Sequence, residues 1–246
     1  MPINISTPSP GLPDHDLAVE TWRAALAEGV GTFFLLAAVV GSGIAATRLS
    51  PGQTGLDLLE NAIATGAVLG TLIMTFGPLS GAHFNPVVSL LKWIRRDLSG
   101  SRLVVYLIAQ LTGAVFGTMA ANLMFALPVV SLSTTSRATP HLWGGEIVAT
   151  LGLLLVVVAM ERHSVAVAGV AVGGYITGAY FFTSSTSFAN PAVTLARSLT
   201  NSFAGIRPSS TPGFIGAQLL GLVVALLLLH LLTPRPLLAS SKGHSS

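Results

Sequence analysis

The 246-residue chain has no cysteine. Disulfides, thiol nucleophiles and cysteine-ligated metals are therefore excluded. Charge is scarce as well. Asp, Glu, Lys and Arg make up 9% of the residues, against about 25% in soluble globular domains. So few charges cannot cover a soluble surface, and the chain must meet lipid. The basic surplus is small, a net charge of +3 from scattered cations, so no basic face forms and nucleic acid is not a partner. No G-x-x-x-x-G-K loop is present for phosphate. Ser184, Ser185 and Ser187 have no general base near them in sequence. Catalytic residues, cofactor and metal are all absent from this reading, and the chain is not an enzyme.

What the chain does have is apolar length. It is 51% hydrophobic, and its 26 Gly and 14 Pro suit transmembrane helices, where both residues are commoner than in soluble ones. A charge at the bilayer centre costs at least ~2.5 kcal/mol, so charge-poor runs mark the spans. Six such runs occur: 24–47, 61–91, 103–136, 138–160, 163–196 and 208–234. Glu28 and Glu146 are the acids within them. A spanning helix needs ~20 residues. The runs 61–91 and 163–196 are longer, and each passes a full span into a polar turn: Gly81-Ala82-His83-Phe84-Asn85-Pro86 in one, Ser187-Phe188-Ala189-Asn190-Pro191 in the other. Such segments read as re-entrant loops, each followed by a half-helix, because irregular backbone at membrane depth needs protein or a water-filled cavity around it.

The chain also repeats itself. Ala27-Glu28-Gly29-Val30-Gly31-Thr32 answers Gly145-Glu146-Ile147-Val148-Ala149-Thr150. Phe84-Asn85-Pro86-Val87 answers Ala189-Asn190-Pro191-Ala192. Ala109-Gln110-Leu111-Thr112-Gly113 answers Ala217-Gln218-Leu219-Leu220-Gly221. Three matches in the same order define two repeats, 22–128 and 141–233. Polar tails at 1–21 and 234–246 flank a membrane-spanning domain at 22–233. Each repeat holds three spans, so the second is inverted relative to the first. With both tails in the cytoplasm the inner side collects Arg23, Lys92, Arg95, Arg96, Arg102, Arg162, Arg235 and Lys242. The outer side has Arg48, Arg137, Arg197 and Arg207. The bias favours cytoplasmic termini in a multi-pass plasma-membrane protein.

Asn is a favoured helix N-cap and Pro a favoured first helical residue. Asn85-Pro86-Val87 and Asn190-Pro191-Ala192 therefore start two half-helices that meet near the midplane at the pore centre. Each N-terminus carries roughly +0.5 charge. Their junction repels cations, and the two Asn amides orient a passing water so that a proton wire is interrupted.

The segments "SGAHFNPVVSL", "FANPAVTLARS" and "AEGVGTFFL" resemble the signature loops and first helix of the major intrinsic protein family, the aquaporins and glycerol facilitators. The resemblance spans nearly all of residues 22–233. It implies an all-α membrane fold of six tilted helices and two half-helices in an inverted three-helix repeat. It implies a pore in each subunit of a homotetramer, and Glu28 and Glu146 bracing the re-entrant loops. Where most of the family has Arg after the second Asn-Pro-Ala, this chain has Val193, followed by Thr194 in place of the Asp frequent in glycerol facilitators. Family spacing puts the rest of the selectivity filter at Thr65, Gly178 and Ser187. A filter of Thr65, Gly178, Ser187 and Val193 is wide and weakly polar. It points to water and small uncharged solutes: glycerol-like polyols and, by resemblance to family members associated with arsenic resistance, neutral metalloid hydroxides such as arsenous acid.

Two pore-mouth residues have open alternatives. Arg197, one helical turn beyond Val193, is either a partial substitute for the missing Arg or a solvated or phosphate-paired charge at a helix end. His83 is either a pH-sensitive group at the inner mouth or a loop histidine held by the backbone. A rival function is a secondary transporter on an inverted-repeat scaffold, which requires a titratable or ion-coordinating group in the path. A second rival is a non-conducting membrane scaffold.

Overall fold

The structure is a computed structural model and describes residues 14–232, with side chains described from Glu20. Among the described residues there are eight α-helices and no strand. They are α1 (Asp14–Leu49), α2 (Thr54–Ser80), α3 (Pro86–Ile94), α4 (Gly100–Met124), α5 (Pro140–Met160), α6 (Val165–Phe182), α7 (Pro191–Ala196) and α8 (Thr211–Leu232). Six of them are long and apolar enough to cross a membrane; α3 and α7 are the short pair. This is the expected architecture. α1 is described from Asp14, within the segment read as tail at 1–21. The tail expected at 234–246 lies outside the described residues.

The helices pair as an inverted repeat requires. α1 packs on α4 and, correspondingly, α5 packs on α8; α2 of one repeat packs on α6 of the other. These contacts are close because glycines line them, as in other membrane helix pairs. A methyl on Gly70 would sit 2.9 Å from the Gly169 carbonyl oxygen, and one on Gly169 would sit 2.7 Å from that of Gly70. Elsewhere a methyl on Gly113 would collide with the Gly29 carbonyl, and one on Gly221 would come within 2.9 Å of that of Ile147. Large apolar side chains such as Phe34, Ile108, Phe116, Val170 and Leu227 stay exposed on the outside, the arrangement lipid favours.

α2 ends where Gly81 takes φ +87° and returns its N–H to the Gly77 carbonyl. Only glycine adopts that conformation without strain. The chain then doubles back into the molecule, and α3 starts in its interior.

A polar-centred cavity between two inverted half-helices

The two re-entrant loops have the same backbone. Ala82 and Ser187, each three residues before an asparagine, have φ of 50°; Phe84 and Ala189, each one before, have φ of 48° and 49°. These left-handed values are uncommon outside glycine, so both loops must be held by their surroundings. The holding groups repeat too. The Ser80 hydroxyl receives the N–H of Ala82, and the Ser185 hydroxyl that of Ser187. Glu28 accepts from the N–H groups of His83 (2.9 Å) and Phe84 (2.7 Å), and from Ser80 Oγ and Gln110 Nε2. Glu146 accepts from the N–H groups of Phe188 (2.8 Å) and Ala189 (2.9 Å) and from Gln218 Nε2. A buried carboxylate needs such partners. Gln110 and Gln218 also donate to Ser89 Oγ and Thr194 Oγ1 on the half-helices. Each glutamate–glutamine pair thus joins a long helix, a loop and a half-helix. The glutamines belong to the third repeated segment of the sequence, but only the fold brings them onto the glutamates.

At the junction the two asparagines interlock. Asn85 Nδ2 donates to the Ala189 carbonyl and Asn190 Nδ2 to the Phe84 carbonyl, each at 2.8 Å. Asn85 Oδ1 caps α3 by accepting from the Val87 N–H. Asn190 Oδ1 caps α7 by accepting from those of Ala192 and Val193. A carboxamide has two donor hydrogens. One is used across the junction, and the other remains for the cavity, which both asparagines line.

That cavity has a volume of about 850 Å³. It runs past Leu69, Ile73, Leu153, Val157, Val172 and Ile176, an apolar wall opposite the half-helices. One stripe of each half-helix faces it: Asn85, Val88 and Lys92 on the first, Asn190, Val193 and Arg197 on the second. The spacing i, i+3, i+7 keeps them on one face. Lys92 ends the stripe at a mouth shared with Arg95, Asp97, Arg102 and Glu161; Arg197 ends it at the opposite end of the cavity, among buried residues.

The other residues of the two Asn-Pro triplets do not reach the cavity. Pro86, Val87, Pro191 and Ala192 are buried but absent from its lining. Val87 packs into a cluster with Leu91, Leu154, Leu222 and Ala225, so the carbons by which it exceeds alanine go into the protein core and not into the pore centre. The cause is helical rotation of about 100° per residue, which carries the first two helical positions away from the axis and returns the third.

Thr65, Ser187 and Val193 are buried and line the cavity. Gly178 does not: it is exposed on the outer face of α6, with open space where a side chain would begin. Tyr180, two residues on, takes its place and donates to Thr65 Oγ1 at 3.2 Å. The missing signal was the rotational phase of α6, which its uniformly apolar sequence does not reveal. Arg197 is not solvated but 2% exposed. Its guanidinium lies 3.5 Å from the centre of the Phe188 ring, and Nε donates to the Ala204 carbonyl. Arg137 stands 5.1 Å from the same ring centre. The region therefore holds aromatic rings and guanidinium groups that a filter of Thr65, Gly178, Ser187 and Val193 lacks. His83 lines the cavity, with Nδ1 3.0 Å from Ser89 Oγ and its ring edge-on to Tyr106. Glu28 and Glu146 are not part of the lining.

A profile of the family described as "Major intrinsic protein" matches residues 17–176. The aquaglyceroporin AqpS of Rhizobium meliloti (strain 1021) is 50% identical over 227 residues, covering 91% of this chain and 97% of that protein. Aquaporin NIP2-1 of Oryza sativa subsp. japonica is 31% identical over 194 residues, covering 75% of this chain and 63% of that protein. The X-ray structure of the aquaglyceroporin from Plasmodium falciparum superposes with a TM-score of 0.65 at 21% identity, over 85% of this chain and 95% of that one. With its inverted repeat, interlocked asparagines and matching profile, the chain belongs to the major intrinsic protein family, a family of membrane channels and not of enzymes.

Proposed function

We propose that the chain is a passive channel for water and small uncharged solutes, namely glycerol-like polyols and neutral metalloid hydroxides such as arsenous acid. The observation that carries the reading is the cavity with both asparagine amides at its centre and an apolar wall opposite them. A polyol slides its carbon side along such a wall while its hydroxyls meet the half-helix stripe. The half-helix N-termini bring positive potential to the centre and reject cations. The filter of this reading is Thr65, Tyr180, Ser187 and Val193, with Arg197 beyond it. Val193 leaves room where a guanidinium would otherwise stand, so solutes larger than water pass. Coupled transport is not favoured, because Glu28 and Glu146 spend their oxygens on loop N–H groups and glutamine donors. In the same reading the protein is a homotetramer in the plasma membrane, with both termini cytoplasmic.

Stopped-flow light scattering of proteoliposomes tests it. Glycerol and arsenous acid should enter faster than into empty vesicles, without saturation and without an ion gradient. Rates equal to those of empty vesicles for every neutral solute, or accumulation driven by an ion gradient, would reject it.

A further inference from the structure

The two half-helices end their cavity-facing stripes with a cation each, Lys92 and Arg197, but the two cations are not treated alike. Lys92 Nζ is 2.7 Å from Glu161 Oε1 and 3.8 Å from Asp97 Oδ2, so it is ion-paired, although Arg95 shares both carboxylates. Arg197 has no ion pair among the described residues, and Ala204 takes only its Nε. Tyr180, Arg137 and Glu146 act on it electrostatically. Glu146 does not neutralise it, because its oxygens are committed to the Phe188 and Ala189 N–H groups and to Gln218. Arg137 adds a second guanidinium at the same ring. Even with Glu146 counted as a full negative charge, this end of the cavity keeps a surplus of positive charge.

A second, independent feature points into the same space. Ser187 is among the residues lining the cavity, and its Oγ is buried with no hydrogen-bond partner. A buried hydroxyl is not left unpaired without cost. The free Nη1 and Nη2 of Arg197 form an end-on fork, the geometry that matches two oxygens of an oxyanion. Its other faces are fixed by the Phe188 ring and the Ala204 carbonyl, so the fork is preorganised.

We propose that Arg197 and Ser187, backed by Arg137, form a binding site for a small oxyanion at this end of the cavity, and that an anion held there obstructs the passage of neutral solutes. The obstruction rests on the channel reading above; the binding does not. An anion held at the fork does not move inward, because Val193, Leu69, Ile73, Val172 and Ile176 line the next stretch. Apolar walls give no compensation for a desolvated charge.

Sulfate is a suitable probe, since it offers paired oxygens and does not cross the bilayer. The purified protein is titrated calorimetrically with sodium sulfate against sodium chloride at matched ionic strength, and glycerol entry into proteoliposomes is measured in the same salts. The native protein should show saturable sulfate binding beyond the chloride control, and sulfate should slow glycerol entry. Arg197→Gln should weaken binding at least ~10-fold, which is 1.4 kcal/mol, and abolish the slowing. Ser187→Ala should weaken both to a smaller extent in a protein that keeps the Arg197 stack. Equal behaviour in sulfate and chloride overturns the proposal, as does binding that survives in Arg197→Gln. If Arg197→Gln fails to fold, binding unchanged in Ser187→Ala overturns it. If the native protein passes no glycerol, the channel reading falls while the titration still decides the binding site.

Discussion

A single asparagine at the junction has more than one task. Asn190 caps α7 through Oδ1 and ties the other loop through Nδ2. Asn190→Ala removes the cap and leaves the Phe84 carbonyl unpaired in a buried place. Losing a cap costs ~1 kcal/mol, and an unpaired buried acceptor costs ~1–3 kcal/mol. The expected outcome is a lower thermal midpoint in detergent, together with increased proton leak in a vesicle pH-dye assay. Val193 presents the opposite case, a position that is sparing in what it offers. It lines the cavity within one helical turn of Arg197. Val193→Arg should reduce glycerol entry at least ~10-fold while water permeability changes by less than ~2-fold, because a guanidinium on the cavity wall itself raises the barrier for the larger solute by about 1.4 kcal/mol or more. Comparable loss of both fluxes would show that the residue blocks the pore instead of filtering. Tyr180 was not legible at this scale. Its place on the cavity wall depends on which way α6 is turned, and nothing in the residue's own chemistry announces that.

At the level of elements, the half-helices are too short to hold themselves. α3 has nine residues and α7 six, well below the length at which an isolated helix persists in water. Their stability comes from caps, from the glutamate braces and from packing. Glu146→Ala would deprive the Phe188 and Ala189 N–H groups and Gln218 of their acceptor. At ~1–3 kcal/mol for each buried donor left unpaired, the loop should lose its fixed shape. Size-exclusion profiles and thermal midpoints should report a strongly destabilised protein with little solute flux. Glu28→Ala should behave in the same way, since its contacts repeat those of Glu146. The α2–α6 pairing is a second element-level test. Gly169→Val places carbons against the Gly70 carbonyl at 2.7 Å or less, and although the Met74 side chain at 2.9 Å can swing aside, that backbone carbonyl cannot. Poor folding is expected, and Gly178→Ala on the exposed face of α6 is the control that should leave folding unchanged.

On the scale of the whole molecule, the repeats are fastened by ion pairs at one mouth. Glu161, after α5, reaches both Lys92 and Arg95 at the end of α3. Burial pushes its carboxyl upward, but the hydrogen bonds and charges of Lys92 and Arg95 outweigh that and hold it below the usual carboxylate range. A carboxyl depressed in the folded protein stabilises it at pH above the ordinary carboxylate value, and that contribution is lost as the pH falls through the depressed value. The groups are partly exposed, so the contribution is ~1 kcal/mol or less. The thermal midpoint of the native protein should therefore drop more between neutral and strongly acidic pH than that of Glu161→Gln. The difference should shrink in high salt, which screens such pairs. Parallel pH curves for the two proteins would mean that this fastening is not what acid removes.

Sequence alone determined the class, the six spans, the two half-helices and the inversion. Each of these depends on local quantities: the cost of charge in lipid, the capping preference of Asn-Pro, and the odd number of spans in a repeat. It also placed Asn85 and Asn190 at the centre, since both begin a helix inside an apolar run. Only the tertiary structure decided which side chains face the cavity. Val87 turned into the core, Gly178 turned outward, Tyr180 turned in, and Arg197 folded onto Phe188 instead of into solvent. The reason is rotational. An apolar helix in lipid has no polar face to fix its phase, so its orientation is set by the neighbours it packs against, and those lie far away along the chain.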